Sequence, residues 1–378
     1  MSRLVEPDRS SAGRKAEPDI VTSSESLHCS EQNSGQETSA PFRIVLLMHC
    51  LNLLVTWPLW QVRSETPMLP MWEWLPIDSG PWLIGLLLGC LFRPRFFLLI
   101  HTVFLLVAMS LDQMRLQPPV ISHLILLWSL SGRGPSRLVG RAHLIALWFY
   151  AGFYKLVSDD FITGEVHWLC RSLCPGLPVS WEPGIGILIA AGEMALAVWA
   201  VIPATRLFAS RLACGLHIGV IFVLSPIGLD WDPAVWPWNL SLAVSALVLF
   251  GESGSQRYEC AAELPRFRGH AFCRSLAMIF LLLPIGYQLG FSETYLCHLL
   301  YSSYVPQAWI VTGDGDVRPI ETRSRLHVPV PQIRRLYEEY FRAIERVGDR
   351  LVIDDPRSGK LSLPEVTTDP AVRHPMAN

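Results

Sequence analysis

The chain has 378 residues, of which 51% are hydrophobic and only 17% are charged. Soluble globular domains carry about 25% charged residues, so the composition excludes an ordinary soluble protein. The formal net charge of −2 gives no basis for binding the phosphates of a nucleic acid. Apolar runs recur from Phe42 to Leu289, and runs of about 20 residues match the bilayer core. The sequence therefore predicts an all-α polytopic membrane helix bundle.

Residues 1–41 are rich in Ser, Glu and Gln and contain no apolar h-region. This composition predicts a disordered cytoplasmic tail, not a signal peptide.

Residues 42–291 are predicted to form a transmembrane domain of nine spans. The spans are expected at 43–62, 80–92, 95–111, 119–131, 141–157, 184–202, 207–225, 234–251 and 272–291. With the N-terminus inside, every inner link carries arginine, as at Arg93 and Arg95, whereas the outer links are more acidic. This bias predicts a cytoplasmic N-terminus, and an odd number of spans then places the C-terminus outside the cytoplasm.

Most tryptophans fall at or near the predicted outer face, including Trp238, which precedes Asn239. Aromatic belts normally occupy both faces of a membrane. The outer excess indicates either loops that lie on the lipid headgroups or a binding function. Trp238 and Asn239 are candidate substrate-binding residues.

Residues 292–366 are predicted to form a small extracytoplasmic α+β segment. AWIVTGDGDVRPI contains β-type runs around a Gly-Asp-Gly turn, and RLVIDDP indicates a further strand. PQIRRLYEEYFRAIERVG places its apolar residues on one helical face. Residues 367–378 are expected to form a disordered tail. The outer loop holds Cys170 and Cys174, for which a disulfide is one interpretation. With His167 they are spaced unlike a zinc site, so no metal is predicted.

Five polar residues indicate a cavity in the outer leaflet. By the helical rise, Glu193 lies roughly 13 Å and His217 roughly 12 Å below the outer face. Asn239 enters from the outer start of span eight, and Asp112 and Lys155 close spans three and five there. Ionisable residues inside a membrane are costly and mark functional sites. We therefore expect Asp112, Glu193 and Asn239 to bind a substrate.

These residues also have structural interpretations. Glu193 and His217 lie at similar depth on adjacent spans, which predicts a hydrogen-bonded pair in the core. Asp112 and Arg115 fit a surface ion pair, and the Lys155 ammonium can extend to the headgroups.

Lys155 carries the predicted chemistry, because it ends an apolar run on the outer side, where basic residues are unusual. Burial removes the water that stabilises an ammonium, and a neutral amine can act as a general base. Quinols are suitable acids in a membrane, and His217 would stabilise the developing anion. Proton-coupled transport would use the same groups.

The sequence around Lys155 resembles a known family. AGFYKL, followed by DDFITG, is similar to AGVKKL followed by W-x-x-G in the membrane domain of vitamin K-dependent γ-glutamyl carboxylase and its bacterial relatives, the horizontally transferred transmembrane (HTTM) family. Lys155 matches the second family lysine, whereas Tyr154 and Phe161 replace the first lysine and the tryptophan. LHIGVIFVLSPIG puts His217 on a family histidine. DoxX-like proteins share this kind of helical core.

The resemblance implies a bacterial inner-membrane protein whose Lys155 deprotonates a reduced quinone, the implied cofactor, in oxygenase- or carboxylase-like chemistry. Residues 292–378 are short beside the extracytoplasmic part of the carboxylase, so we expect a small-molecule reaction and not carboxylation of a protein. The alternatives are a non-catalytic membrane binding or assembly protein and a DoxX-like quinone-linked oxidoreductase subunit. A transporter is a third alternative. The expected partners are membrane lipid and a lipidic small molecule.

Overall fold

A computed structural model describes most of the chain beyond the N-terminal 38 residues. The described residues are 39–63, 68–71, 77–132, 135–225, 229, 233–251, 271–299, 302–320, 326–344 and 346–357. The predicted disordered tails, apart from residues 39–41, lie outside the described residues. The rest belongs to one compact unit, Thr38–Asn378.

The described chain is mostly helical, and its helices follow the apolar runs of the sequence. Apart from a four-residue helical turn at Trp57–Trp60, they are in chain order α1 (Ala40–Val55), α2 (Gly80–Gly89), α3 (Pro94–Leu111), α4 (Pro118–Ser131), α5 (Pro135–Leu156), α6 (Val166–Leu173), α7 (Glu182–Val201), α8 (Arg206–Leu224), α9 (Val235–Phe250), α10 (Ala271–Gln288) and α11 (Arg334–Ile344).

Proline sets the beginning of many of these helices. The first turns of α1, α2, α3, α4 and α7 each contain a proline. The fixed φ of proline suits the first helical turn, where a missing N–H costs nothing. The links between apolar runs therefore act as helix start signals.

Nine membrane spans are not confirmed. Among the described residues, four helical segments are long and apolar enough to cross a membrane: Pro94–Leu111, Val179–Val201, Arg206–Leu224 and Ala271–Gln288. The apolar helices α1, α2, α4 and α9 have 10–17 residues, which is below the 18 residues required of a candidate span. Helix α5 has 22 residues but carries Arg137, Arg141 and Lys155, and it is not among the four.

Helix α5 lies at the centre of the bundle and packs closely on α7. Gly152 faces the backbone of α7, where any added Cβ would clash with the Ala190 carbonyl oxygen. Small residues let the backbones of membrane helices approach each other closely. Tyr154 is fully buried on the neighbouring side, where its hydroxyl donates to the Pro284 carbonyl of α10 at 2.5 Å.

The predicted α+β character of the C-terminal segment is confirmed. Strands β1 (Gln307–Val311), β2 (Val317–Pro319) and β3 (Arg350–Asp354) form an antiparallel sheet in the order β2-β1-β3. Gly315 takes a φ of +95° in the turn between β1 and β2, a conformation that favours glycine.

This segment packs on the helix bundle and shares its hydrophobic core. Leu336 and Tyr337 of α11 are buried in the same apolar cluster as Leu126 and Trp148 of the bundle. A hydrogen bond of 3.1 Å from the Gln113 side chain to Glu339 joins the link between α3 and α4 to α11. The C-terminal segment therefore forms part of the same compact unit.

Gly152→Val is expected to destabilise the protein by about 2 kcal/mol, because the new methyl groups would push α5 away from the α7 backbone. Thermal unfolding of the purified protein measures this loss. Gly192→Val is the matched control, since nothing lies within 4 Å of a Cβ at Gly192. Equal melting temperatures for the two variants would contradict the close α5–α7 contact.

Candidate functional site

A cavity of about 450 Å³ lies between α4, α5, α7, α8 and α9. Most of its lining is apolar, as at Leu147, Ala151 and Val220. Lys155, Glu193, His217, Trp238 and Asn239 also line it. Five of the six residues singled out from the sequence are thus brought together, and their functional roles stay predictions.

Lys155 and Glu193 form an ion pair across α5 and α7. The Lys155 Nζ atom lies 2.6 Å from Oε1 and 2.7 Å from Oε2 of Glu193. The two side chains are only 10% and 11% exposed. The ammonium is therefore shared by both carboxylate oxygens at the wall of the cavity, and the predicted pairing of Glu193 with His217 is wrong.

His217 has its partners elsewhere. Its Nδ1 atom lies 2.8 Å from Oδ1 of Asn239, and its Nε2 atom accepts a hydrogen bond of 3.0 Å from the Trp148 indole. Acceptance at Nε2 places the ring proton on Nδ1, where it is donated to Asn239. Depth alone predicted the Glu193 pairing, but the rotation of α8 turns His217 toward α9 and α5 instead. Both ring nitrogens are satisfied.

A π-helical turn at Phe161–Glu165 adds Phe161 and Glu165 to the cavity wall. Turns of this kind frequently occur at functional sites. The centroid of the Phe161 ring lies 5.8 Å from Lys155 Nζ. An aromatic face at this distance stabilises the ammonium further.

Asp112 does not line the cavity, so its predicted place in the site is wrong. It is 1% exposed and forms an ion pair with Arg63, while the Arg115 Nε atom lies 3.9 Å from its Oδ2. The backbone amides of Leu69 and Met114 donate to its Oδ1 at 3.2 and 3.1 Å. The turn after α3 directs the carboxylate into this loop network and away from the bundle.

The two arginines of this network are buried with Asp112. Burial lowers the pKa of Arg63 and that of Arg115 to about 10. Both guanidinium groups therefore remain cationic at neutral pH. The Arg115 guanidinium also donates to the carbonyls of Leu59, Ala108 and Gln61, so Arg63 depends most on the carboxylate. The sequence indicated the local Asp112–Arg115 pair, whereas Arg63 is distant in sequence.

The chain after α10 returns into the bundle and completes the cavity wall. The amide of Phe291 donates to the Gly286 carbonyl at 2.8 Å, and the Cys297 thiol lies 3.7 Å from the Leu283 carbonyl. His298 then reaches the level of His143 and contacts its ring. Thr294, Tyr295, His298 and Leu299 consequently line the cavity.

His143 and His298 are cavity residues that the sequence analysis missed. His143 is 3% exposed, and its Nε2 atom lies 2.9 Å from the Ser122 hydroxyl of α4. His143 lies four, eight and twelve residues before Leu147, Ala151 and Lys155, which also line the cavity. Residues at this spacing share one face of a helix, so the position of His143 could have been predicted from Lys155. His298 gives no comparable signal, because a loop position has no periodicity.

Three further histidines form a separate cluster that does not line the cavity. The Nε2 atoms of His49 and His101 lie 3.1 Å apart, and the ring of His123 stacks on His49. Within the described ranges, no group of three His, Cys, Asp or Glu residues is arranged to hold a metal ion. Cys170 and Cys174 form no disulfide with each other or with another described cysteine.

Asp112→Ala is expected to destabilise the protein by roughly 3 kcal/mol, since it leaves the buried Arg63 guanidinium without its carboxylate. Chemical denaturation of the protein in mild detergent measures the loss. The matched control is Glu338→Ala, which removes an exposed partner of Arg334 and should cost less than about 1 kcal/mol. Similar losses in the two variants would show that the Asp112 network contributes little.

No family model matches this chain, and no curated protein or solved structure matches it significantly.

Proposed function

We propose that this chain is an integral membrane protein that binds a quinone-type or other lipidic ligand in the cavity. The ion pair of Lys155 and Glu193 would exchange a proton with a hydroxyl group of the ligand. The observation that carries the proposal is a buried lysine–carboxylate pair in the wall of a mainly apolar cavity.

Membrane insertion is supported by the outer surface of the bundle. In the part of the chain that the structure describes, four helical segments are long and apolar enough to span a bilayer. Large apolar side chains on them face outward, including Leu188, 71% exposed, and Phe222, 64% exposed. Apolar surface of this extent is rare on soluble monomers and fits contact with lipid. An extracytoplasmic C-terminal segment, as the charge bias predicts, belongs to this proposal.

The cavity fits a lipidic ligand in size and chemistry. Its volume of about 450 Å³ falls within the usual range for small-molecule sites. Trp148 and Trp168 provide aromatic surface for a ring. In the described part of the chain the Trp238 Nε1 atom, also at the lining, has no hydrogen-bond partner. A buried donor without a partner is costly unless a ligand or water satisfies it.

The Lys155 ammonium is paired with the Glu193 carboxylate, so Lys155 would not act as a general base by itself. We propose that the two side chains act together. A reduced quinone, when bound, would supply an acidic hydroxyl. The ammonium would pass a proton to the Glu193 carboxylate, and the resulting amine would accept the proton of that hydroxyl. The ligand would become an anion, Glu193 would become a neutral acid, and Lys155 would regain its charge beside the anion. The two side chains would work as one proton-transfer unit.

His217 is a positioning residue in this proposal. Both of its ring nitrogens already have partners, so it has no free atom for the ligand. Its hydrogen bonds to Trp148 and Asn239 would hold all three side chains, each from a different helix, in the wall of the cavity.

A second candidate function is a non-catalytic membrane binding or assembly protein. The observation that favours it is the pairing between helices: Lys155 with Glu193 and His217 with Asn239 each join two helices. Such hydrogen bonds stabilise membrane bundles without any chemistry. The family resemblance, including the DoxX-like alternative, likewise stays a proposal.

Gly219→Leu is expected to weaken binding of menadione, a naphthoquinone, by at least about tenfold, because the new side chain occupies the space of the ligand. Gly219 lines the cavity, and nothing lies within 4 Å of a Cβ placed there. Calorimetry in lipid nanodiscs, corrected for empty nanodiscs, measures the affinity.

Gly192→Leu is the matched control for this experiment. Gly192 is exposed on the outside of α7, has the same open space at its Cβ and does not line the cavity. Its affinity for menadione should equal that of the wild-type protein. Equal affinities for both leucine variants would exclude the cavity as the binding site.

Lys155→Met is expected to lower stability by roughly 3 kcal/mol, because it leaves Glu193 buried without its cation. The double variant Lys155→Met/Glu193→Met should regain most of this loss, since apolar side chains of similar volume replace both charges. The decisive measurement is the protein-dependent oxidation of menadiol by dioxygen, followed by the absorbance of the quinone. We expect the folded double variant to lose this activity.

The same double variant separates the two candidate functions. A wild-type rate of menadiol oxidation in a stable double variant would remove Lys155 from the chemistry. No protein-dependent oxidation by the wild-type protein would favour the assembly function.

A further inference from the structure

We propose that His143 and His298 form a second polar subsite, which binds a hydroxyl group at the far end of the ligand from Lys155. This inference rests on the proposed function and names the ligand more closely. The ligand would be an elongated lipid with a hydroxyl-type oxygen at each end.

Two ring nitrogens at this subsite have no partner among the described residues. Within the described part of the chain, neither the Nδ1 atom of His143 nor the Nε2 atom of His298 forms a hydrogen bond. The ring centroids of the two residues lie 5.1 Å apart at an angle of 59°. Both residues line the cavity, and His143 is 3% exposed. The free energy lost by leaving a buried ring nitrogen without a partner exceeds the net gain from a typical hydrogen bond. A ligand oxygen bound between the two rings would remove this cost.

The hydrogen-bond roles favour a hydroxyl group. A neutral imidazole has one nitrogen that donates and one that accepts. The bond between His143 Nε2 and Ser122 leaves Nδ1 as either a donor or an acceptor, depending on the direction of the serine hydroxyl. A hydroxyl group both donates and accepts, so it can satisfy one unpaired nitrogen of each ring in either case. A carbonyl oxygen only accepts.

The backbone of the returning segment aims His298 at this point. His298 has a φ of +60°, which is unusual for a residue with a Cβ. The segment is anchored on α10, where the Ser292 hydroxyl donates to the Leu283 carbonyl at 2.8 Å. Phe280 of the same helix packs against His143, with ring centroids 5.7 Å apart. The His298 ring is therefore held against His143 by a fixed loop.

The spacing of the two ends limits the length of the ligand. His143 and Lys155 are twelve positions apart on α5, which places them roughly 18 Å apart along the helix axis. Apolar Leu147 and Ala151 line the cavity between them. At the other end a hydroxyl could donate to the Glu193 carboxylate and accept from the Lys155 ammonium. An extended molecule of dodecane-1,12-diol, which carries a hydroxyl at each end, is of comparable length.

The test compares dodecane-1,12-diol with 1-dodecanol, which lacks the second hydroxyl. Calorimetry in nanodiscs gives the affinity ratio of the two alcohols for the full chain and for His143→Phe and His298→Phe. Using the ratio cancels the different partition of the alcohols into lipid, which is the same for each variant. We expect the affinity for the diol divided by the affinity for 1-dodecanol to be roughly tenfold higher in the wild-type protein than in either variant.

Two controls make the result specific. His167→Phe replaces an exposed histidine that does not line the cavity, and it should keep the wild-type ratio. Binding of 1-dodecanol by the His143→Phe and His298→Phe variants, together with their melting temperatures, shows that they are folded.

The failure of this inference is distinct from the failure of the proposed function. A wild-type ratio that survives both phenylalanine substitutions would overturn the histidine subsite alone. If Gly219→Leu leaves the binding of 1-dodecanol unchanged, the cavity itself is not the lipid site.

Discussion

A polar side chain buried in an apolar helix bundle must find its partner within the protein, and helix α5 meets this requirement on four sides. Lys155 pairs with Glu193 of α7, Trp148 with His217 of α8, His143 with Ser122 of α4, and the Tyr154 hydroxyl with a carbonyl of α10. An apolar medium supplies no other partner for these groups. The four contacts therefore fix the positions of four neighbouring helices around α5.

This arrangement separates polar groups that are satisfied from those that are not. His217 uses both ring nitrogens within the protein, whereas His143 and His298 each keep one nitrogen at the cavity that no described residue pairs with. A satisfied group stabilises the bundle, and an unsatisfied one gains energy from a ligand. The proposed ligand contacts are therefore His143 and His298, although the sequence pattern indicated His217.

The sequence predicted the helices and the C-terminal sheet because these follow from local patterns. Apolar runs and prolines give the helix positions, and the Gly-Asp-Gly turn gives the hairpin of β1 and β2. The number of spans does not follow in the same way, since four of the apolar helices described have fewer than 18 residues. The charge bias of the links predicts the orientation of the spans but gives no information on their length, so it could not improve the predicted number of spans.

The partners within the site could be predicted only in part. The helical rise placed Glu193 and His217 at similar depth, but depth is one coordinate, and the rotation of each helix decides which side chains meet. Asp112 pairs with Arg63, 49 residues away in the chain, through a loop that no periodicity describes. Lys155, Glu193, His217 and Asn239 nevertheless line one cavity, and each comes from a different helix around it.

The position of the ion pair is the main argument that it does more than hold helices together. Apolar residues of similar volume would join α5 and α7 at least as well as a buried lysine and carboxylate do. A charged pair in a dry interface would therefore add no stability over such residues. Lys155 and Glu193 instead lie at a cavity wall, where a ligand can reach both charges. Since the pair is neutral as a whole, it favours a neutral hydroxyl, which can donate to the carboxylate and accept from the ammonium, over an anion or a cation.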